Sequence, residues 1–137
     1  MKKSLIYLLF LTSCYGGEII TLPIDSAINS KTAKYELDKN IKLNFENQEI
    51  LSSSTSLENK KIKGKSKRND DTIEESCNKS FINALSRFQS YTAKKGGNKI
   101  NNIHSCLYSK IPQNSNEFEC KVNSRQSVVV LHGIIEK

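Results

Sequence analysis

The sequence of 137 residues lacks tryptophan and contains only two prolines and one methionine. Hydrophobic residues make up 36% of it. A hydrophobic content this low predicts a small core, with some residues of the chain not packed into it. The longest apolar run falls well short of the roughly 20 residues that a membrane-spanning helix needs. We therefore expect one small domain, for which a covalent crosslink would add stability.

Aromatic residues are also scarce, at 7%, although the net charge is +7. Single-stranded nucleic acids are bound by basic grooves in which bases stack on aromatic side chains. The densest basic run, from Lys60 to Arg68, contains no aromatic residue and lies in a polar, serine-rich stretch. We therefore expect no nucleic-acid partner, and we interpret residues 52–71 as a flexible polar linker.

The first seventeen residues are typical of an export signal peptide. Two lysines precede an apolar run from Leu5 to Leu11, too short to span a bilayer. The next residues, ending at Cys14, match a bacterial lipobox, in which the cysteine becomes the lipidated N-terminus. Ordinary cleavage near Gly16 is the alternative. The expected location is the periplasmic side of the cell envelope, either as an outer-membrane lipoprotein with a membrane anchor at Cys14 or as a periplasmic or secreted protein.

Residues 18–51 are predicted to contain a short N-terminal helix and a strand. Ile24, Ala27 and Ile28 have helical spacing, and Ser30 is a candidate cap for a further turn or two. Apolar and polar residues then alternate over residues 41–45, as in a half-buried strand.

Residues 72–137 are predicted to form the main structural module. Thr72 and Glu75 form a capping box, an apolar stripe at spacings of three and four follows, and Gly96-Gly97 ends the helix. Strand-like runs follow at residues 100–108, 117–122 and 128–135, and the last is apolar on both faces. The predicted fold class is α+β, with one long helix packed on a small, mainly antiparallel sheet of three or four strands and a short N-terminal helix.

The cysteines indicate one disulfide. Export removes or lipidates Cys14 and leaves three thiols in an oxidising compartment. Cys77 lies on the buried stripe of the helix and Cys120 on the inward face of a strand, so we expect these two to pair. Cys106 would then be a free thiol, either a small buried hydrophobic residue or a group for intermolecular or redox chemistry.

Two histidines accompany that free thiol. Simple alternation puts His104 and Cys106 on one face of their strand, together with Ile100 and opposite Ile103, and His132 lies on another strand. These residue types bind transition metals, but their spacing matches no metal motif, so no metal or other cofactor is predicted. A thiol and a base without a third orienting group also make no catalytic site, and we do not expect an enzyme.

Several segments, and the order in which they occur, resemble those of a known protein family. They are the helical run from Glu75 to Leu85, Gly96-Gly97-Asn98, Phe118-Glu119-Cys120 and the terminal Val130-Leu131-His132-Gly133. Together they resemble small exported proteins of gammaproteobacteria that are often mislabelled as an excinuclease subunit. The resemblance implies an exported α+β domain whose two family cysteines match Cys77 and Cys120, and it implies no activity. Cys106 departs from the pattern, because the family tends to have an aromatic residue there.

These observations favour a non-enzymatic envelope protein that binds another envelope protein or a surface component. The alternative hypothesis is a metal- or redox-responsive envelope sensor that uses His104, Cys106 and His132.

Overall fold

The computed structural model describes residues 17–45, 56–107 and 116–137. In these segments the chain forms a mixed α/β fold with a six-stranded sheet and three helices, one of them long. The strands are β1 (Glu18–Pro23), β2 (Lys42–Leu43), β3 (Ser56–Lys67), β4 (Lys99–Ser105), β5 (Glu117–Val122) and β6 (Gln126–Glu136). The helices are α1 (Ile24–Ile28), α2 (Lys31–Glu36) and α3 (Ile73–Lys94). Within the described segments, none of these helices is long and apolar enough to cross a membrane.

Strand β6 is the centre of the sheet. Along one side it pairs with β3, from Lys67 opposite Gln126 to Ser56 opposite Glu136. Its other side is shared, because β5 pairs with its first residues and β4 with its last. β1 extends the sheet beyond β5 and β2 extends it beyond β4, and among the described strands only β2 and β4 pair in parallel. The apolar character of β6 on both faces therefore corresponds to its central position in the sheet.

Strand β3 lies within the segment that was predicted to be a linker, so the predicted domain organisation is wrong there. Residues 56–67 form an antiparallel ladder with β6 and are not a flexible linker; residues 52–55 of the predicted linker lie outside the described residues. The prediction failed because it counted only apolar side chains, whereas the backbone of β3 is ordered by hydrogen bonds to β6. The sheet has six strands instead of the predicted three or four because β1 and β3 also belong to it. The basic run itself, the strands before it and the strands after it thus belong to one sheet.

The long helix α3 begins and ends as its sequence predicts. The Thr72 hydroxyl accepts a hydrogen bond from the Glu75 backbone N–H at 3.1 Å, which satisfies one of the first free donors of the helix. Gly96 follows the last turn with a φ of 80°, a conformation that glycine adopts without strain. Ser30 caps α2 in the same way, since its hydroxyl accepts from the Ala33 backbone N–H.

The core lies between α3 and the inward face of the sheet. Phe81 of α3 and Phe118 of β5 are buried there and stack with ring centroids 4.3 Å apart. Each fully buried large side chain contributes about 1.5–3 kcal/mol to stability. Cys77 and Cys120 form a disulfide across the same interface, with Cα atoms 5.9 Å apart. The pairing agrees with the expectation from the sequence, and Cys106 is a free cysteine.

A β-bulge in β4 changes which residues face the core. Asn102 has a φ of 53°, and the register with β6 shifts between Asn101 and His104. The extra residue places Ile100 and Ile103 on the same inward face, where they are 0% and 1% exposed. The prediction that these two isoleucines face opposite sides is wrong, because simple alternation fails at a bulge. β4 also ends at Ser105, and Tyr108, the last residue of the predicted strand, lies outside the described residues.

Buried hydroxyl groups join α3 to β6. Ser76, Ser80 and Ser127 are all 0% exposed. The Ser127 hydroxyl donates to the Ser76 carbonyl at 2.8 Å, and the Ser80 hydroxyl donates to the Ser127 carbonyl at 3.0 Å. The Ser76 and Ser127 hydroxyls are also hydrogen-bonded to each other at 2.7 Å, so these buried groups attach the helix to the sheet.

Candidate binding site

The sheet has one face that the helices leave open. Side chains alternate along a strand, so β3 and β6 each contribute to two faces. On one face Val129 and Leu131 are buried beneath α3. The other, which we call the open face, is formed by Lys61, Lys63, Lys65 and Lys67 of β3, Lys121 of β5, and Val128, Val130 and His132 of β6. No helix among the described residues covers it.

The lysines of the open face come mainly from β3. Four alternate residues of this strand, from Lys61 to Lys67, are exposed, while Ile62 and Gly64 between them point toward α3. The register with β6 places Lys65 directly opposite Val128, and Lys121 of β5 is opposite Val128 on the other side. A valine therefore lies between two lysines in a row that crosses three strands.

A cavity of about 380 Å³ lies over this row. Its charged lining residues are Lys63, Lys65 and Lys121, and its apolar ones are Val128, Val130 and Leu107. Two amide residues complete the lining, and none of the described lining residues is acidic. The volume falls near the lower end of the roughly 300–1,000 Å³ that small-molecule sites occupy. The site thus combines positive charge at its walls with an apolar floor.

Side chains of α3 occupy the outer edge of β3 next to this site. The Lys65 backbone N–H donates to Oδ1 of Asn83 at 3.2 Å, and the Arg87 guanidinium donates to the Lys63 carbonyl at 2.5 Å. An unpaired strand edge is otherwise a template for adding a further strand. A strand added here would have to displace both side chains, so the accessible surface at Lys63 and Lys65 is the face of the sheet.

Lys60 differs from its neighbours because it points toward the helix side. Its Nζ lies 4.4 Å from the ring centroid of Tyr91, and the Tyr91 hydroxyl donates to Oε1 of Glu58 at 2.9 Å. The hydrogen bond to the Glu58 carboxylate is the main reason that the pKa of the Tyr91 hydroxyl is raised above its usual value. The basic run is therefore divided by strand alternation into a packed lysine and a row of open-face lysines.

The two histidines are brought together at the far end of the open face. His104 and His132 are paired residues on β4 and β6, and their ring centroids are 5.0 Å apart. Nδ1 of His104 lies 2.8 Å from the Asn102 carbonyl oxygen, whereas Nδ1 of His132 is buried without a hydrogen-bond partner. Burial, and then the charges of His104 and Lys61, hold the pKa of His132 below its usual value. The arrangement favours a neutral imidazole at His132.

Cys106 lies near this pair but does not complete a metal site. Its backbone N–H donates to the Val130 carbonyl at 2.8 Å, and its side chain is partly buried. In the described segments, no group of three or more His, Cys, Asp or Glu side chains is arranged to hold a metal ion. The structure thus pairs two of the three residues singled out for metal or redox chemistry and assembles no ligand set from them.

Sequence reasoning missed the lysine site because it examined the basic run for aromatic partners. The informative signal was the period of two, in which Lys61, Lys63, Lys65 and Lys67 alternate with an isoleucine, a glycine and a serine. That alternation is typical of a strand with one wet face. The contribution of Lys121 from β5 could not be found in this way, since it depends on the pairing of two strands with β6.

The predicted lipidation site, Cys14, and the rest of the export signal before Gly17 lie outside the described residues. Comparison with known proteins found no matching family model, no matching curated protein and no matching solved structure.

Proposed function

We propose that this chain is an exported, non-enzymatic binding domain of the cell envelope that holds its ligand on the open face of its sheet. The observation that carries the proposal is the cavity lined by Lys63, Lys65 and Lys121 above an apolar floor. Concave sites with apolar walls and a few charged groups are the usual form of small-ligand sites. Within the described residues, none of these three lysines takes part in an ion pair, so their charge is free to act on a ligand.

Two features support the export part of the proposal. The chain begins with a charged segment and a short apolar run that ends in a lipobox at Cys14. The Cys77–Cys120 disulfide is of a kind that persists in oxidising compartments such as the periplasm. In this proposal Cys14 either carries the lipid anchor or is removed with the signal.

The binding proposal has more support than a metal- or redox-responsive sensor. A sensor of that kind would use His104, Cys106 and His132, and the described residues provide no third ligand that converges with the two histidines. The cavity, in contrast, is a formed concave site whose described lining residues carry one sign of charge.

Export is tested by the intact mass of the protein recovered from cell fractions. We expect either a chain that begins at a diacylated Cys14, in the membrane fraction, or one that begins at Gly17, in the periplasmic or culture fraction. A full-length chain that retains Met1 and stays in the cytoplasm would overturn the proposal.

The binding surface is tested by placing a photo-crosslinking amino acid at Gln126 or, as a matched control, at Ser90. Gln126 lines the cavity, whereas Ser90 is exposed on α3 away from the open face. In living cells we expect a crosslinked adduct from Gln126 and none from Ser90. Equal yields from the two positions, or adducts from neither, would argue against a binding site on the open face.

A further inference from the structure

We infer that the lysine-lined cavity binds a single-chain anionic amphiphile, in which a phosphate or carboxylate head group carries an alkyl chain. The inference rests on the proposed function, since it names the ligand class for the same face. It follows from the arrangement of charge around the cavity and from the apolar residues between the charges.

The positions of the lysines favour one shared anion. Lys65 and Lys121 flank Val128 from the two neighbouring strands. Adjacent strands are about 4.8 Å apart, so the two backbones are about 10 Å apart and their long side chains can meet above the valine. Lys63 lies two residues from Lys65 on the same side of β3 and lines the same cavity. Three ammonium groups can therefore surround a head group with one or two negative charges.

The apolar residues show why an anion alone does not fill the site. Val128 and Val130 are adjacent outward residues of β6, and Leu107 follows β4 at the same cavity. These side chains form no hydrogen bonds, and they gain free energy when an alkyl chain covers them. A volume of about 380 Å³ holds roughly a dozen groups at about 30 Å³ each, enough for a head group and the first part of one chain.

Other occupants fit the same surface less well. A second copy of this chain placed face to face would oppose the lysine row of β3 with another lysine row, which like-charge repulsion disfavours. An added strand at the outer edge of β3 is opposed by Asn83 and Arg87, which already bond its backbone. A bilayer surface needs no concave site, whereas the apolar floor here lies within a cavity.

The inference is tested by calorimetric titration of the purified mature protein with decyl phosphate and decanoate below their micelle concentrations. Decanol, decyltrimethylammonium and inorganic phosphate serve as matched probes that lack the negative charge, reverse it or lack the chain. We expect both anionic amphiphiles to bind at least tenfold more tightly than each of these three. Inorganic phosphate that binds as tightly as decyl phosphate would overturn the inference in favour of a simple anion site.

Single substitutions locate the binding site. Lys65→Gln and Lys121→Gln should each weaken decyl phosphate binding about tenfold, and the matched control Lys67→Gln should change it less than twofold. Lys67 belongs to the same strand and face but does not line the cavity. Unfolding midpoints of the variants establish that each is folded. An equal loss in all three variants would indicate binding to charge in general and would contradict the inference.

Vesicles that contain an anionic phospholipid distinguish a bilayer from a free amphiphile. Binding to vesicles without binding to monomeric decyl phosphate would overturn the cavity as the site. If crosslinks from Gln126 form in cells while no amphiphile binds the purified protein, the ligand class is wrong and the proposed binding function stands. If both measurements are negative, both proposals fail.

Discussion

Gly64 of β3 and Ala84 of α3 lie so close that a β-carbon on Gly64 would be 2.7 Å from the β-carbon of Ala84 and 2.5 Å from its backbone nitrogen. Real β-carbons essentially never come this close to other heavy atoms. The strand and the helix therefore touch through their backbones at this crossing, and only a residue without a side chain fits. Because Gly64 alternates with Lys63 and Lys65, the same contact directs those two lysines to the open face.

Gly64→Ala is expected to destabilise the protein by about 3 kcal/mol, near the upper end of the cost of overpacking. The clash involves helix backbone, which cannot move aside as a flexible side chain can. Chemical denaturation measures the loss, and Lys67→Ala on the open face of the same strand is the control, with an expected change within about 0.5 kcal/mol. A Gly64→Ala protein as stable as the control would show that the helix and strand backbones do not touch at Gly64.

The elements that local chemistry determines were predictable from the sequence. Thr72 and Gly96 mark the ends of α3, and Ser30 caps α2, because each acts on residues within one turn. The apolar stripe of α3 and the alternation of β5 also depend only on spacing along the chain. These features placed Cys77 and Cys120 on inward faces, which is why their pairing could be anticipated.

Features that depend on distant partners were not predictable in this way. β3 contains Ile62 and Gly64 as its central inward residues, too little apolar area to predict an ordered strand. Its order comes from a ladder with β6, about 70 residues later in the chain. The bulge at Asn102 likewise reflects how β4 fits against β6. The cavity needs β3, β5 and β6 together, so no local pattern predicts it.

Removal of the disulfide by Cys77→Ala with Cys120→Ala is expected to cost about 4 kcal/mol in the chain-entropy model, given a sequence separation of 43. The crosslink restricts the unfolded chain, so its removal favours the unfolded state. Urea denaturation of the variant and of the oxidised protein measures the difference. Cys106→Ser is the control and should change stability by less than 1 kcal/mol, since Cys106 is a free thiol outside the fully buried core. A urea midpoint that reducing agent leaves unchanged would contradict the assigned bond.

Gln89→Leu is expected to destabilise the protein by about 3 kcal/mol and to loosen the chain between α2 and β2. The buried Gln89 amide donates to the carbonyls of Asp38 and Ile41 at 2.8 and 3.0 Å, and it accepts from the Asp38 N–H at 2.8 Å. Leucine leaves the buried Ile41 carbonyl without this partner, at about 1–3 kcal/mol, and removes two hydrogen bonds to the backbone of the exposed Asp38, at about 0.5–1.5 kcal/mol each.

Hydrogen exchange gives a local test of the same contact. The Asp38 amide should exchange much faster in Gln89→Leu, while amides in the middle of β6 should change only as far as global stability falls. Ser90→Ala, at the next and exposed position of α3, is the control and should leave the Asp38 amide protected. Unaltered exchange at Asp38 in the leucine variant would show that Gln89 does not hold this segment.

His132 is expected to make the protein less stable as the pH falls. Burial, followed by the charges of His104 on β4 and Lys61 on β3, lowers its folded-state pKa below 6.5, its usual value. Between these two pKa values the unfolded chain binds more protons than the folded one, so unfolding becomes easier as the pH decreases. The stability that neutral His132 provides is therefore complete above pH 6.5 and is lost as the pH falls through the folded-state pKa.

His132→Asn should remove this dependence, so its stability relative to the wild type should improve as the pH falls from 6.5 to the folded-state pKa of His132. Lys61→Gln removes one of the neighbouring charges, and it should bring the pKa of His132 closer to 6.5 and reduce the loss. NMR titration of the imidazole protons measures both pKa values directly, and denaturation at several pH values measures the stability. A His132 that titrates at or above 6.5 in the folded wild type would disprove the proposed effect of burial and neighbouring charge.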